Sequence, residues 1–258
     1  MGSERFRRQF KVTGNYVGPD DCAHAWFVQN VAQDVSIAVT EHHGFDTRWY
    51  RARGTGWVMR RFQAELVRPW ILDDQIVVET WISKRKRVSV HRDYLFLDGA
   101  GAPLGGAQAE WVYLEASTGR PAPLSPEIEE RLAVEPEEAI SPWPEQGGEW
   151  AFADPGLRIT RAVGYSDLDG YGHANNTVYL RWIADLLHQG GPGEFWMRRW
   201  RIEYRKAARL GQEVSLEAAS CPLSSGGALW QVSIRDLLSS EELVRSWVVT
   251  WPRSAQDD

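Results

Sequence analysis

The feature that most constrains the fold is an internal repeat, in which two blocks of the first half recur in the same order in the second half. The first block covers residues 54–80 and 193–218, and each copy contains a methionine, Met59 or Met197. Ungapped alignment on these residues brings identical residues together at further positions: Arg60 with Arg198, Arg61 with Arg199, Glu65 with Glu203, Leu72 with Leu210 and Glu79 with Glu217. Because such self-similarity is typical of duplicated folding units, we expect two copies of one unit.

The second block is a turn that reads YVGPDDCAHAW in the first half and YSDLDGYGHAN in the second. Both copies keep an aspartate and a histidine one helical turn apart, Asp20 with His24 and Asp169 with His173. The first half has about eleven more residues between its two blocks, in the segment TEHHGFDTRWYRARG. The same turn is therefore expected at the same place in each unit.

Each turn precedes a segment, FVQNVAQDVSIAV or TVYLRWIADLL, whose apolar residues recur with the spacing of one helical face. The remaining segments, such as QIVVETWISK and LWQVSIRD, alternate with the period of a half-buried strand. Each unit is thus predicted to hold one helix and a run of antiparallel strands, which places the chain in the α+β class.

A proline-rich, acidic segment, PAPLSPEIEERLAVEPEEAISPWP, separates the two units. Its composition is typical of a connection between domains, with one helical turn expected at 127–132. We therefore predict an N-terminal unit at 1–120, a linker at 121–150 and a C-terminal unit at 151–258.

Charge and cysteine content exclude several classes of function. The net charge of −6 argues against nucleic-acid binding, and the two cysteines, Cys22 and Cys221, are too few for a disulfide framework or a zinc cluster. No signal peptide, membrane-length apolar run or nucleotide-binding motif is visible. The sequence therefore predicts a cytoplasmic protein that needs no metal or cofactor.

The second-half turn, SDLDGYGHANN, carries the candidate chemistry. Asp169 can act as a base or nucleophile on a carbonyl carbon, and His173 lies one helical turn further on. If the helix begins at Gly172, the backbone N–H groups of Gly172 and His173 are free to bind an oxyanion. The alternative is that the acids only cap the helix and that His173 is a hydrogen-bonded structural residue.

Three further residues of this turn are candidates for contact with a substrate. Asn175 and Asn176 can bind substrate or connect the turn to neighbouring strands, and Tyr171 can donate its phenol or only fill space. The first-half turn has Ala23, Trp26 and Phe27 at the corresponding positions, which favours a hydrophobic pocket over a second active site. The densest positive run, residues 83–92, can bind an acidic carrier or protect an edge strand.

These motifs, together with HRDYLFLDGAGAPLGGAQAEWVYLEASTGRPAPL and WRIEYRKAARLGQEV, resemble the acyl-acyl-carrier-protein thioesterases of plants and bacteria. The resemblance extends from about Phe10 to Pro252. It implies a double hotdog, in which each helix is wrapped by a curved antiparallel sheet. It also implies hydrolysis of acyl thioesters, with the acyl pocket in the first unit and the catalytic residues in the second.

Carried over residue by residue, the resemblance places the family's aspartate at Asp169 and its histidine at His173. The family's asparagine is replaced by Tyr171, and its glutamate and following cysteine are replaced by Ala207 and Ala208. Single-domain hotdog thioesterases need fewer groups, because the carboxylate of an Asp-x-Asp turn acts directly, and Asp169 fits that pattern too.

The expected activity is hydrolysis of an acyl thioester, with acyl carrier protein favoured over coenzyme A as the carrier. Because two family groups are missing, acyl transfer, dehydration and non-catalytic acyl binding remain alternatives. A tandem hotdog already contains the pairing that single hotdogs obtain by dimerising. Both a monomer and a homodimer are therefore compatible with the sequence.

Overall fold

The computed structural model describes residues 5–143, 155–190, 194–224 and 226–253. The N-terminal unit contains these elements: β1 (Phe6–Lys11), α1 (Ala25–His42), α2 (Thr47–Arg53), β2 (Thr55–Leu66), β3 (Gln75–Arg85), β4 (Ser89–Leu97), β5 (Pro103–Glu115) and α3 (Pro126–Arg131). The C-terminal unit contains these: β6 (Leu157–Ala162), a 3₁₀ turn (Tyr165–Asp167), α4 (Asn176–Gly190), β7 (Phe195–Tyr204), β8 (Glu213–Pro222), β9 (Ala228–Asp236) and β10 (Glu242–Pro252).

The strands form one continuous antiparallel sheet of ten strands, in the order β1-β3-β4-β5-β2-β7-β10-β9-β8-β6. Read inward from either edge, the two halves of the sheet have the same order of equivalent strands. One long helix belongs to each half, and α1 packs against α4. The predicted α+β double hotdog is therefore confirmed.

The two units are joined by the antiparallel pairing of β2 with β7, which we call the seam. Gln63 lies opposite Arg201 near its centre. On one side Arg61 Nε is 3.5 Å from Glu203 Oε1, and on the other Arg199 Nε is 3.5 Å from Glu65 Oε2. These ion pairs are reciprocal because both partners occur in each copy of the repeat. Each pair is partly exposed and contributes at most about 1 kcal/mol to the free energy of unfolding. The main effect of the pairs is therefore to favour this register of β2 against β7.

A hydrophobic core extends through both units beneath the helices. The helix faces predicted from the sequence do point into it, as Val31 and Val35 of α1 and Ile183 and Leu187 of α4 are fully buried. None of the helices in the described ranges is long and apolar enough to cross a lipid bilayer.

The extra residues of the first unit form α2. Asp46 caps this helix by accepting a hydrogen bond from the backbone N–H of Trp49 at 2.7 Å. Gly54 ends it with a φ of 63°, a left-handed conformation that glycine adopts without steric cost. The length difference between the two repeats thus corresponds to one additional short helix in the first unit.

The described part of the predicted linker packs against the first unit. Leu124, Ile128 and Leu132 are buried in a small cluster with Phe45 and Tyr113. The helical turn expected at 127–132 corresponds to α3, whose N-terminus is capped by the Ser125 side chain. Residues 144–150 lie outside the described residues, so the boundaries of the linker stay a prediction.

We expect Ile128→Ala to lower the free energy of unfolding by about 2–4 kcal/mol, because it leaves a cavity in this cluster. Glu130→Ala, on the exposed side of the same helix, should change it by no more than about 0.5 kcal/mol. Urea unfolding followed by tryptophan fluorescence measures both. Equal effects of the two substitutions would show that α3 is not part of the packed first unit.

Candidate active site

Two aspartates shape the turn between β6 and α4 by accepting hydrogen bonds from its backbone. Asp167 Oδ2 accepts from the N–H of Gly164 at 2.8 Å. Asp169 Oδ1 accepts from the N–H of Tyr171 at 2.8 Å and from that of His173 at 3.2 Å. Among the described residues, no donor lies within hydrogen-bond distance of Asp169 Oδ2. Asp169 therefore orders the turn with one oxygen and leaves the other available.

The expectation that α4 begins at Gly172 is wrong, because the helix begins at Asn176. The N–H of Gly172 donates to the carbonyl of Asp169 at 3.0 Å, and the N–H of His173 donates to the Asp169 side chain. Asp169 binds both amides, that of Gly172 through its backbone carbonyl and that of His173 through its side chain. Neither N–H is therefore free for an oxyanion. Gly172 is nevertheless required by the turn, since its φ is +75°.

Asn175 is the residue that caps α4. Its Oδ1 accepts hydrogen bonds from the backbone N–H and the hydroxyl of Thr177, both at 2.9 Å. Its side-chain oxygen is therefore engaged within the helix cap. The backbone N–H of Asn176 makes no hydrogen bond with any described residue, which leaves it as the free donor at this helix N-terminus.

A buried polar cluster beneath the α4 N-terminus joins the two units. Tyr204 Oη donates to the Asn176 carbonyl at 3.0 Å and accepts from Gln29 Nε2 at 2.8 Å. Asn176 Nδ2 is 3.5 Å from Met59 Sδ, and its buried Oδ1 has no partner among the described residues. Burial strongly raises the pKa of Tyr204, so the phenol is neutral.

The sequence alone did not lead us to Gln29 and Tyr204 as members of this polar cluster, although the sequence of α1 contains a signal for Gln29. Polar residues recur along one face of α1 at helical spacing: Gln29, Gln33, Ser36 and Thr40. An amphipathic helix packed on a purely apolar core would not carry such a stripe on its inner side. The stripe marks the side of α1 that faces the cluster and a cavity.

His173 is half-buried, and its ring makes no hydrogen bond with the described residues. Within this part of the chain, no hydrogen bond or ion pair joins the His173 ring to the Asp169 carboxylate, which binds only the backbone N–H of His173. The loop at 207–209 lies beside His173: Ala174 donates its N–H to the Ala208 carbonyl at 2.9 Å, and His173 pairs with Arg209. The position of the family's glutamate is thus next to His173, but alanine supplies no acid there.

Tyr179 supports this loop from below. Its Oη accepts a hydrogen bond from the N–H of Ala208 at 2.9 Å. Burial raises the pKa of Tyr179 to about 12. The phenol is therefore neutral and structural in this position.

A cavity of about 330 Å³ lies in the first unit, between α1 and the inner face of the sheet. Residues of α1, α2, β2, β4 and β5 line it, and Gly170 and Tyr171 from the second-unit turn complete its wall. Of the predicted site residues, Tyr171 alone lines this cavity, whereas Asp169 and His173, in the same turn, do not. The structure thus brings the tip of one unit's turn to the cavity of the other.

The first-unit turn differs chemically from the second. Cys22 is buried, and burial followed by the charge of Asp20 raises the pKa of its thiol. Burial also lowers the pKa of His24, whose ring stacks on Trp26 at a centroid distance of 5.7 Å. A neutral thiol and a stacked imidazole favour the prediction that this turn is not catalytic.

The positive run at 83–92 divides into two parts. Lys84, Lys86 and Arg87 are exposed at the β3–β4 hairpin, and Arg85 donates to the carbonyl of Glu129 in α3 at 2.7 Å. Arg92, by contrast, is buried on the inner face of β4 and lines the cavity. We use the name basic hairpin for 84–87. No cluster of acidic, histidine or cysteine side chains suited to a metal ion occurs in the described ranges.

Family models and a curated relative match the chain. The acyl-ACP thioesterase N-terminal domain matches residues 3–132, and the acyl-ACP thioesterase C-terminal domain matches residues 157–242. The chain is 26% identical over 220 residues to oleoyl-acyl carrier protein thioesterase 1, chloroplastic, of Arabidopsis thaliana. That alignment covers 78% of this chain and 60% of the relative, so the chain spans less than two thirds of the relative's length.

Solved structures share the fold. The 12:0-ACP thioesterase from Umbellularia californica superposes with a TM-score of 0.81 at 21% identity, covering 96% of this chain and 94% of that one. An acyl-ACP thioesterase from Bacteroides thetaiotaomicron superposes with a TM-score of 0.76 at 22% identity, covering 95% and 97%. On the family models and the shared fold, this chain belongs to the acyl-ACP thioesterase family.

Proposed function

We propose that the protein hydrolyses acyl-acyl carrier protein thioesters and releases the free carboxylic acid. The observation that carries this proposal is the position of Tyr171, which brings the tip of the second-unit turn into the wall of the first-unit cavity. An acyl chain in the cavity would have its thioester at that boundary, close to the groups of the turn. Apolar burial of the chain, worth about 0.8 kcal/mol per CH₂, would hold it there.

In this proposal Asp169 Oδ2 takes a proton from water as the water oxygen attacks the carbonyl carbon. Oδ1 remains bound to the turn amides, so the carboxylate stays oriented during the reaction. The carbon–sulfur bond then breaks, and the departing thiolate of the carrier receives a proton. His173 is the nearby side chain suited to supply it, because its ring is not engaged elsewhere among the described residues. The proton held by Asp169 then passes through water to His173, which restores both side chains.

The oxyanion would be bound by donors other than those first expected. The free N–H of Asn176 lies at the positive end of the α4 dipole, and the Tyr171 phenol is a second donor at the mouth of the cavity. One such donor typically contributes about 10²–10³ in rate. This arrangement does not need the carboxylate of the family's glutamate, which is replaced by Ala207 in this chain.

The basic hairpin is the proposed contact for an acidic carrier protein. Strand register brings the hairpin to the end of the sheet where Gly56 and Tyr171 line the cavity. Ser89, near the hairpin, and Val58, near Gly56 on β2, both pair with Val112 of β5. Positive charge at this place would attract an acidic domain and orient the phosphopantetheine arm. Coenzyme A thioesters, which lack the protein, would gain less from it.

Acyl-thioester binding without hydrolysis is a second candidate, because Ala207 and Ala208 offer no catalytic group. It predicts that thioesters are bound and recovered unchanged. A cytoplasmic location and a monomeric or homodimeric state, both expected from the sequence, stay predictions.

Asp169→Asn separates the two roles given to Asp169. The amide oxygen of Asn can still accept from Tyr171 and His173, whereas the base is lost, so we expect the rate of thiol release to fall about 10²- to 10⁴-fold without unfolding. Asp167→Asn, in the same turn but without a proposed proton transfer, is the matched control and should retain most activity. Both are assayed on a panel of acyl carrier-protein and acyl-CoA thioesters. Undiminished activity of Asp169→Asn, or no thiol from any thioester with the wild type, would contradict the proposal.

Charge reversal of the basic hairpin at Lys84 and Lys86 should lower kcat/KM for acyl carrier-protein substrates about tenfold at low salt, because association loses its electrostatic attraction. The same variant should hydrolyse acyl-pantetheine, which has no protein surface, at the wild-type rate. Raising the ionic strength should reduce the difference between variant and wild type. Equal losses on both substrates would show that the hairpin does not bind the carrier.

A further inference from the structure

Arg92 is the one lysine or arginine among the described residues that is buried, with 4% of its surface exposed. It lies on β4 between Val90 and Tyr94 on the inner face of the sheet and lines the cavity. A buried cation is costly unless it is paired, so its surroundings are informative.

No carboxylate of the described chain lies within ion-pair distance of Arg92. Its guanidinium makes one side-chain hydrogen bond there, from Nη1 to Thr80 Oγ1 at 3.3 Å. The neighbouring residue, Asp93, points to the opposite face, where it accepts from Gln108 and from the N–H of Ala139. Glu41 also lines the cavity but is exposed and forms no ion pair with Arg92. Burial accordingly lowers the pKa of Arg92.

Other arginines of the fold show the contrast. Arg61 lies near Glu110 and Glu203, and Arg201 near Glu203, although each is more exposed than Arg92. Arg61 and Arg201 thus have carboxylates nearby, whereas the more deeply buried Arg92 has none within ion-pair distance among the described residues. A ligand is the remaining source of a counter-charge for this guanidinium.

Apart from Arg92 itself and the exposed Glu41 and Arg51, the side chains that line the cavity carry no formal charge. Ser36 Oγ and Tyr94 Oη are 2.6 Å apart, and Tyr50 Oη accepts from Trp57 Nε1 at 3.0 Å. Burial raises the pKa of Tyr50 to about 12, so it does not supply a phenolate. An unsubstituted alkyl chain filling this space would cover the guanidinium and leave its remaining N–H groups without acceptors.

Arg92 lies deep relative to the proposed thioester position. On β5, Leu114 pairs with Gly56, which lies beside Tyr171, and Ala109 pairs with Arg92. The two positions are therefore five residues apart along the strand direction, which is roughly 17 Å at about 3.3 Å per residue. A group bound by Arg92 would be in the distal part of an acyl chain.

We propose that the cavity takes an acyl chain with an oxygen-bearing substituent remote from the thioester, preferentially a carboxylate, and that Arg92 binds this substituent. The inference rests on the proposed function, because it takes the cavity to be the acyl site. It names the substrate class as the half-thioester of a dicarboxylic acid, with an ω-hydroxyacyl thioester as the weaker alternative. A planar guanidinium suits a carboxylate because it can donate two parallel hydrogen bonds.

The test compares carrier-protein thioesters of equal length that end in a methyl, a hydroxyl or a carboxyl group, at octanoyl, dodecanoyl and hexadecanoyl lengths. We expect the wild type to favour the carboxyl-ended chain over the methyl-ended one by about 10- to 100-fold in kcat/KM at its best length. Arg92→Met should abolish or reverse this ratio, and Arg92→Lys should keep part of it. Arg161→Met, which removes a guanidinium packed on Trp182 outside the cavity, should leave the ratio unchanged.

Calorimetry with the pantetheine mono-amide of dodecanedioic acid and the pantetheine amide of dodecanoic acid measures the same preference without hydrolysis, because only the first carries a carboxylate at the far end. If no thioester is cleaved, yet the dodecanedioic amide binds more tightly and loses this advantage in Arg92→Met, the proposed activity fails and the inference stands. A wild type that favours methyl-ended chains, with a ratio that Arg92→Met does not change, would overturn the inference. A loss of kcat/KM in Arg92→Met that is equal for all three chain ends would also overturn the inference. Arg92 would then act on a part that the three substrates share, such as the carrier.

Discussion

The antiparallel pairing of β2 with β7 is the contact on which the rest of the structure depends. It joins the two half-sheets into one sheet and places α1 beside α4. It also places the turn of the second unit at the cavity of the first. Its register is favoured by the same two residues in each copy of the repeat, with Arg61 facing Glu203 and Glu65 facing Arg199. Without this pairing, Tyr171 would have no cavity to close.

The two copies have diverged within this frame. The first contains α2 and an inner face with a cavity, and its turn is aromatic and half-buried around Trp26. The second kept a glycine turn, in which Gly172 adopts the left-handed conformation that lets Asp169 bind the following amides. These local differences support the proposed division into one unit that holds the acyl group and one that presents reactive groups.

Sequence reasoning predicted the duplicated fold because identical residues in the repeat, such as Arg61 and Arg199, mark equivalent strands. It failed at the start of α4, since periodicity does not reveal that the Asp169 side chain competes for the amides of the turn and that Asn175 caps the helix instead. It also grouped Arg92 with the basic hairpin. Strand alternation alone would have placed Arg92 with Tyr94, but its lack of a counter-charge is visible only in three dimensions.

In the proposed function, the second-unit turn and the first-unit cavity form one site. A crystal structure with a bound non-hydrolysable acyl-pantetheine amide is the sharpest test of this arrangement. We expect the amide carbonyl to lie beside Tyr171 and Asp169, with the acyl chain running along α1 toward Arg92. An acyl chain bound beneath α4 in the second unit, or a carbonyl remote from the turn, would contradict it.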